Sequence, residues 1–203
     1  MPVKATNRTT DLACIAALVI WLASSVVGFS MLVAYSQSPG TLETPPLDAL
    51  DVDWHPRTPF RLFVAIHPQC TCSRATANEL ARILHDHSDV LACKVLMYQP
   101  ESAPREFGET WLMSHLATLP NTTIVRDVEG RTARTLGMRT SGSVVLYGPT
   151  GSALFYGGIT VARGHEGDSV GSQCILSLLE NQPPATTSTD VYGCPLERPA
   201  TSP

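Results

Sequence analysis

The stretch Phe60-Arg61-Leu62-Phe63-Val64-Ala65-Ile66-His67-Pro68-Gln69-Cys70-Thr71-Cys72-Ser73-Arg74 decides the fold class. From Phe60 to Ile66 it is β-rich and almost wholly apolar, the composition of a central strand covered on both faces. His67-Pro68 ends that strand, because proline has no N–H to give to the ladder. From Thr71 to His87 the spacing becomes helical: Ala75, Leu80, Ile83 and Leu84 share a face, with Arg74, Glu79, Arg82 and Asp86 expected outward. A buried strand therefore runs directly into a helix whose first residues carry two cysteines.

Downstream, Val90 to Tyr98 reads as a second buried strand, followed by a helix around Glu109 to Leu119. Thr122 to Val125 suggests a short strand and Gly130 to Leu136 a brief helix. Ser143 to Tyr147 pairs with Ala153 to Tyr156 across Gly148-Pro149-Thr150-Gly151, a hairpin closed by turn residues. A last helix is expected at about Ser169 to Glu180, and residues 182–203 read as a flexible, Pro- and Thr-rich tail. The order predicts an α/β domain, a mixed sheet flanked by helices, over residues 58–181.

Upstream, Leu12 to Ala34 is twenty-three residues without a charge, and about twenty suffice to cross a bilayer. Residues 12–35 are read as a transmembrane anchor behind a cytoplasmic stretch, 1–11. Small residues at Ala34-Tyr35-Ser36 allow a signal peptide as the rival, but its apolar core is normally about 7–15 residues. Lys4 and Arg8 precede the helix and no positive charge follows it through Gly40. The positive-inside tendency thus keeps the N-terminus cytoplasmic and the domain outside, in a bacterium on the periplasmic side of the inner membrane. Residues 36–57, with Pro39, Pro45, Pro46 and Pro56, read as a spacer. The net charge of -4 with no basic stripe argues against nucleic acid as a partner; the expected partners are the membrane and protein thiols or disulfides.

A strand ending at a cysteine-bearing helix start, followed by strand, helix, hairpin and closing helix, resembles the thioredoxin fold. His67-Pro68-Gln69-Cys70-Thr71-Cys72-Ser73-Arg74, Gly157-Gly158-Ile159-Thr160, Arg163 to Asp168 and Gly193-Cys194-Pro195-Leu196 resemble a group of anchored bacterial proteins called RedB-like. The resemblance implies a thiol-disulfide oxidoreductase or redox relay. Two departures bear on it. If Cys70 takes the place of the first cysteine of Cys-x-x-Cys, Ser73 takes that of the second, with Cys72 between them. And where thioredoxins carry a cis-proline before the hairpin, this chain has Ser141-Gly142.

Cys70, near a helix N-terminus, is the expected nucleophile, since unpaired N–H groups there favour thiolate. Cys72 is its expected first partner, in a strained and easily reduced bond. Cys194, between Gly193 and Pro195, is a candidate resolving thiol. His67, Arg74, Ser141, Gly142 and His165 are candidates to line the site. No cofactor is required by this reading. The alternative is copper, held by Cys70, Cys72, His67 and His165, because thiolate and imidazole suit copper(I); a redox-inert binding domain is the third reading. Cys93 and Cys174 fall in apolar runs and are expected to be core residues.

Overall fold

The computed structural model describes residues 8–46 and 57–197, which divide into two units between Gln37 and Ser38. The first is the helix α1, Arg8–Ser36. Its apolar side chains are exposed all round, Leu12, Trp21 and Phe29 among them. At 1.5 Å per residue it is about 43 Å long, more than the hydrocarbon thickness of a bilayer. The Ser25 and Ser30 hydroxyls donate to the Trp21 and Val26 carbonyls, each at 2.8 Å, so these polar groups are satisfied within the helix. Its length and composition suit a membrane span or a signal sequence.

The second unit is built on five strands: β1 (Phe60–Ile66), β2 (Leu91–Gln99), β3 (Thr122–Val128), β4 (Ser143–Tyr147) and β5 (Ala153–Gly158). They lie in the order β3-β2-β1-β4-β5. β1 and β2 are parallel, as are β2 and β3, while β4 is antiparallel to both β1 and β5. The helices are α2 (Ser73–His87), α3 (Trp111–Leu116), α4 (Arg131–Thr135) and α5 (Val170–Leu179).

Strand alternation sorts β1 into two cores. Leu62, Val64 and Ile66 pack with Leu80 and Leu84 of α2 and Ile175 of α5. Phe63 and Ala65 face the other way, into a cluster with Leu136, Met138, Tyr147 and Leu196. Cys93 and Cys174 are buried in the first core, and burial pushes the Cys93 thiol well up. Both are small apolar fillers, as the sequence suggests.

Several local expectations need correction. The helix after β2 is shorter than 109–119, because a 3-10 turn at Arg105–Gly108 precedes it. β3 runs on to Val128, since its register with β2 continues to Gln99. Glu79 is buried rather than outward: its carboxylate accepts from Gly167 N–H at 2.6 Å and pairs with Arg82 at 3.2 Å. Residues 182–197 are not loose. Tyr156 N–H donates to the Thr187 carbonyl, Thr189 hydrogen-bonds Gly158, and Val191 and Leu196 are buried. Of the supposed spacer, residues 38–46 also lie on the domain, through Gly40 N–H to Val191 and an Arg139–Glu43 ion pair; residues 47–56 fall outside the described residues.

Candidate active site

The site is assembled from three stretches of chain far apart in sequence. β1 ends at Ile66, and the turn that follows carries Cys70, whose N–H donates to the His67 carbonyl. α2 begins at Ser73 with Cys72 as its N-cap residue, two residues later than the helix start the sequence suggests. The second stretch, Thr140-Ser141-Gly142, leads into β4. Gly142 adopts φ +93°, conformational freedom that glycine has without strain, and its N–H donates to the Ala65 carbonyl at 2.8 Å. The third is the C-terminal segment, held antiparallel to the second: Ser141 N–H donates to the Cys194 carbonyl at 2.8 Å and Leu196 N–H to the Arg139 carbonyl at 2.9 Å.

These stretches bring three sulfurs together. The Sγ atoms of Cys70, Cys72 and Cys194 all lie within 4.8 Å of one another. The short contact is between Cys70 and Cys194, at 2.8 Å. The sequence reading made Cys72 the first partner; the ordered tail instead delivers Cys194 closer. The proximity of Cys194 follows from the backbone pairing, because its own carbonyl is tied to Ser141.

Cys70 is only 5% exposed. Burial pushes its thiol up, but hydrogen bonds from Cys194 and from Ser73 outweigh that, and the net direction is down. The other two thiols move oppositely. Burial, with the charge and hydrogen bond of Cys70, raises Cys72. The same causes push Cys194 up to about 12. Arg163 opposes both rises, and its guanidinium also donates to the Gly193 carbonyl. The arrangement favours the thiolate at Cys70 and the thiol at Cys72 and Cys194.

Ser73 and Ser141, each 1% exposed, form the other side of this arrangement. Their hydroxyl oxygens are 2.6 Å apart, and Ser141 Oγ accepts from His67 N–H at 2.7 Å. With Ser73 donating to Cys70, the only consistent polarity has Ser141 donating to Ser73. A chain of donors thus runs from the His67 backbone through two hydroxyls to Cys70. This use of Ser141 is legible only in three dimensions, because 74 residues separate it from His67.

The remaining candidates fall at the edges. The His67 ring stacks on Tyr98 at 5.4 Å and meets Phe107 edge-on. His165 is exposed, with Nδ1 2.8 Å from the Arg163 carbonyl. Neither imidazole belongs to the thiol group, so the copper ligand set of Cys70, Cys72, His67 and His165 is not brought together: β1 ends before the turn and directs His67 toward β2, while His165 is held on its loop. That loop does cross the cysteine motif at Gly164, next to Cys72. Arg74 lies over the Trp111 ring at 4.9 Å. Together with Pro68, Thr71 and Leu112 these two line a groove reaching Cys70. Trp111 is 55% exposed, and sequence reasoning missed it; a tryptophan opening a short helix was the available signal.

No family model matches the chain, and no curated protein matches it in sequence. Solved structures do resemble it. The hypothetical protein SMc02350 from Sinorhizobium meliloti 1021 has a TM-score of 0.57 at 18% identity, over 80% of this chain and 96% of that one. An uncharacterized conserved protein from Geobacillus kaustophilus also gives 0.57, at 14% identity over 82% and 92%. A putative thioredoxin from Neisseria meningitidis gives 0.44 at 13% identity, over 70% and 88%. The strand β1 feeding a cysteine turn and α2, parallel to β2 and antiparallel to the β4–β5 hairpin, settles the architecture.

The fold is thioredoxin-like. In this thioredoxin-like frame Ser141 stands where the cis-proline is expected, and no cis peptide occurs among the described residues. Ser73 stands in the second cysteine's slot. The sulfur nearest Cys70 comes from beyond α5, from the segment paired with residues 139–141.

Proposed function

We propose that this chain is a membrane-anchored, extracytoplasmic thiol-disulfide oxidoreductase or redox relay in which Cys70 exchanges with substrate and Cys194 resolves the intermediate. The observation that carries the reading is the 2.8 Å approach of Cys194 Sγ to a Cys70 whose thiolate is favoured. Thiolate is the attacking species in disulfide exchange.

In the direction that reduces a substrate, the Cys70 thiolate attacks one sulfur of a substrate disulfide. A Cys70–substrate bond forms and the other substrate sulfur leaves as thiolate. With Cys70 in a mixed disulfide its charge is gone, which removes two of the causes that hold Cys194 protonated. Cys194 then passes its proton to the substrate thiolate already released and attacks Cys70 Sγ, expelling the second substrate thiolate. The protein is left with a Cys70–Cys194 disulfide, two electrons having passed to the substrate. The same steps run backward in the oxidising direction.

α1 supports the location. Lys4 ahead of it and Arg8 at its first position favour a cytoplasmic N-terminus and a single pass; in a bacterium that topology leaves the thiols on the periplasmic side, where disulfides persist. The groove between Pro68 and Trp111 is the approach we assign to a protein thiol or disulfide.

Peptide mapping after equilibration of the full chain in glutathione buffer tests the reading. Cys70–Cys194 is the expected bond, Cys70→Ser abolishes exchange, and Cys194→Ser accumulates a glutathione adduct on Cys70. A Cys70–Cys72 bond in the wild type, or undiminished turnover of Cys194→Ser, refutes it.

A further inference from the structure

The three sulfurs invite a second question, because they form a compact, all-sulfur donor set. We infer that the reduced protein binds one copper(I) ion in a three-coordinate site made by Cys70, Cys72 and Cys194. The inference does not rest on the redox reading, since it concerns the reduced chain with no exchange partner present.

The geometry is close to what such an ion needs. Metal–thiolate bonds of about 2.3 Å place the corners of a trigonal sulfur set about 4 Å apart. All three Sγ atoms already lie within 4.8 Å of one another, and the Cys70–Cys194 contact, at 2.8 Å, has to widen, by roughly 1 Å on that figure. The anchors are independent and firm. Cys70 sits in the turn after β1, Cys72 caps α2, and Cys194 is fixed by its carbonyl to Ser141.

The donor chemistry selects the ion. Soft thiolates favour copper(I) and zinc. A structural zinc site takes a fourth protein ligand, usually a further cysteine or a histidine. Among the described residues no histidine, aspartate or glutamate joins the three sulfurs. Three thiolates around a monovalent ion leave a net negative centre, and Arg163, hydrogen-bonded to the Gly193 carbonyl beside Cys194, supplies nearby positive charge. Occupancy is gated by oxidation: a Cys70–Cys194 disulfide consumes two of the three donors, so the oxidised chain binds none.

The test titrates copper(I), without oxygen, into the reduced full-length chain in mild detergent against the chromogenic competitor bicinchoninate. X-ray absorption at the copper edge then gives the ligand set. Expected are one copper per chain with three sulfur neighbours near 2.3 Å, and no binding after oxidation. Each of Cys70→Ser, Cys72→Ser and Cys194→Ser weakens binding by at least about tenfold, the low end of what even outer-ligand changes cost. His67→Ala and His165→Ala leave it unchanged. The wild-type absorption spectrum needs no variant, so a misfolded variant cannot decide the matter. Failure of the reduced wild type to compete for copper, a nitrogen neighbour lost with either histidine, two-sulfur coordination unaffected by Cys194→Ser, or tighter retention of zinc each overturns the site. None of these outcomes bears on disulfide exchange, which peptide mapping reads separately.

Discussion

Which thiol partners Cys70 has a large thermodynamic consequence, because the two candidate bonds close loops of very different length. Cys70 and Cys194 are 124 residues apart. In the chain-entropy description, a cross-link over that span removes about 5 kcal/mol of conformational freedom from the unfolded state, whereas one across Cys70-Thr71-Cys72 removes only about 1.6 kcal/mol. The perturbation is oxidation of the full chain in detergent, in a Cys14→Ser background so that the thiol within α1 takes no part. The assay is urea unfolding, reduced against oxidised. With a slope near 2 kcal/mol per molar, the long loop raises the midpoint by about 2.5 M and the short one by under about 1 M. Cys72→Ser is expected to keep the whole shift and Cys194→Ser to lose nearly all of it. A shift that survives Cys194→Ser and vanishes in Cys72→Ser would refute the assignment of Cys194.

Further outcomes follow from the same geometry. Alkylation of Cys70 should proceed at pH values below the ordinary 9.0 of a thiol, and Ser73→Ala or Cys194→Ser should move the profile upward, since each removes a donor to the thiolate; an unchanged profile counts against the hydroxyl and thiol contacts. Folding holds the Cys194 proton up to about 12 against an ordinary 9.0. Between those values the unfolded chain binds fewer protons, so stability falls as pH rises. For Cys70 the sign reverses: below 9.0, down to its lowered value, the unfolded chain binds more protons, so stability is lost as pH falls. The difference between wild-type and Cys194→Ser unfolding curves against pH should contain the alkaline loss. Ser141→Ala removes the acceptor of the partly buried His67 N–H, an expected cost of about 1 kcal/mol in denaturant unfolding. Gly193→Ala would put a Cβ 1.9 Å from the Ser141 carbonyl oxygen, so the tail must shift and oxidation of Cys70 with Cys194 should slow, as followed by mass-resolved alkylation.

The parts of this architecture governed by local pattern could be read from the chain alone. β1, α2 and the hairpin announce themselves through a run of β-formers, a helical apolar face and a Gly-Pro-Thr-Gly turn, and the membrane-length apolar helix through its want of charge. The place of Cys70 and Ser73 at the junction of strand and helix was recognisable because β1 and α2 fix where they fall. What escaped was the tertiary pairing. The Cys194 segment looks like a loose tail because its hydrogen bonds go to residues 139–141 and its apolar side chain, Leu196, fills a core begun by Phe63 and Tyr147. Glu79 looks like a surface charge until Gly167, from a distant loop, donates to it. The packing of His67 escaped as well, since its aromatic neighbours lie on β2 and beyond it.

The pairing of residues 194–196 with 139–141 also bears on association. Backbone next to a reactive thiol, if left open, is a template on which any extended chain can add as a strand. Here residues 194–196 of the same chain lie along that margin, donating and accepting there themselves. Among the described residues, the strand position beside residues 139–141 is therefore already taken. Under the proposed exchange reaction, a client offers its sulfur from the Trp111 side, as a protruding loop, or else lifts residues 194–196 away and Cys194 with them.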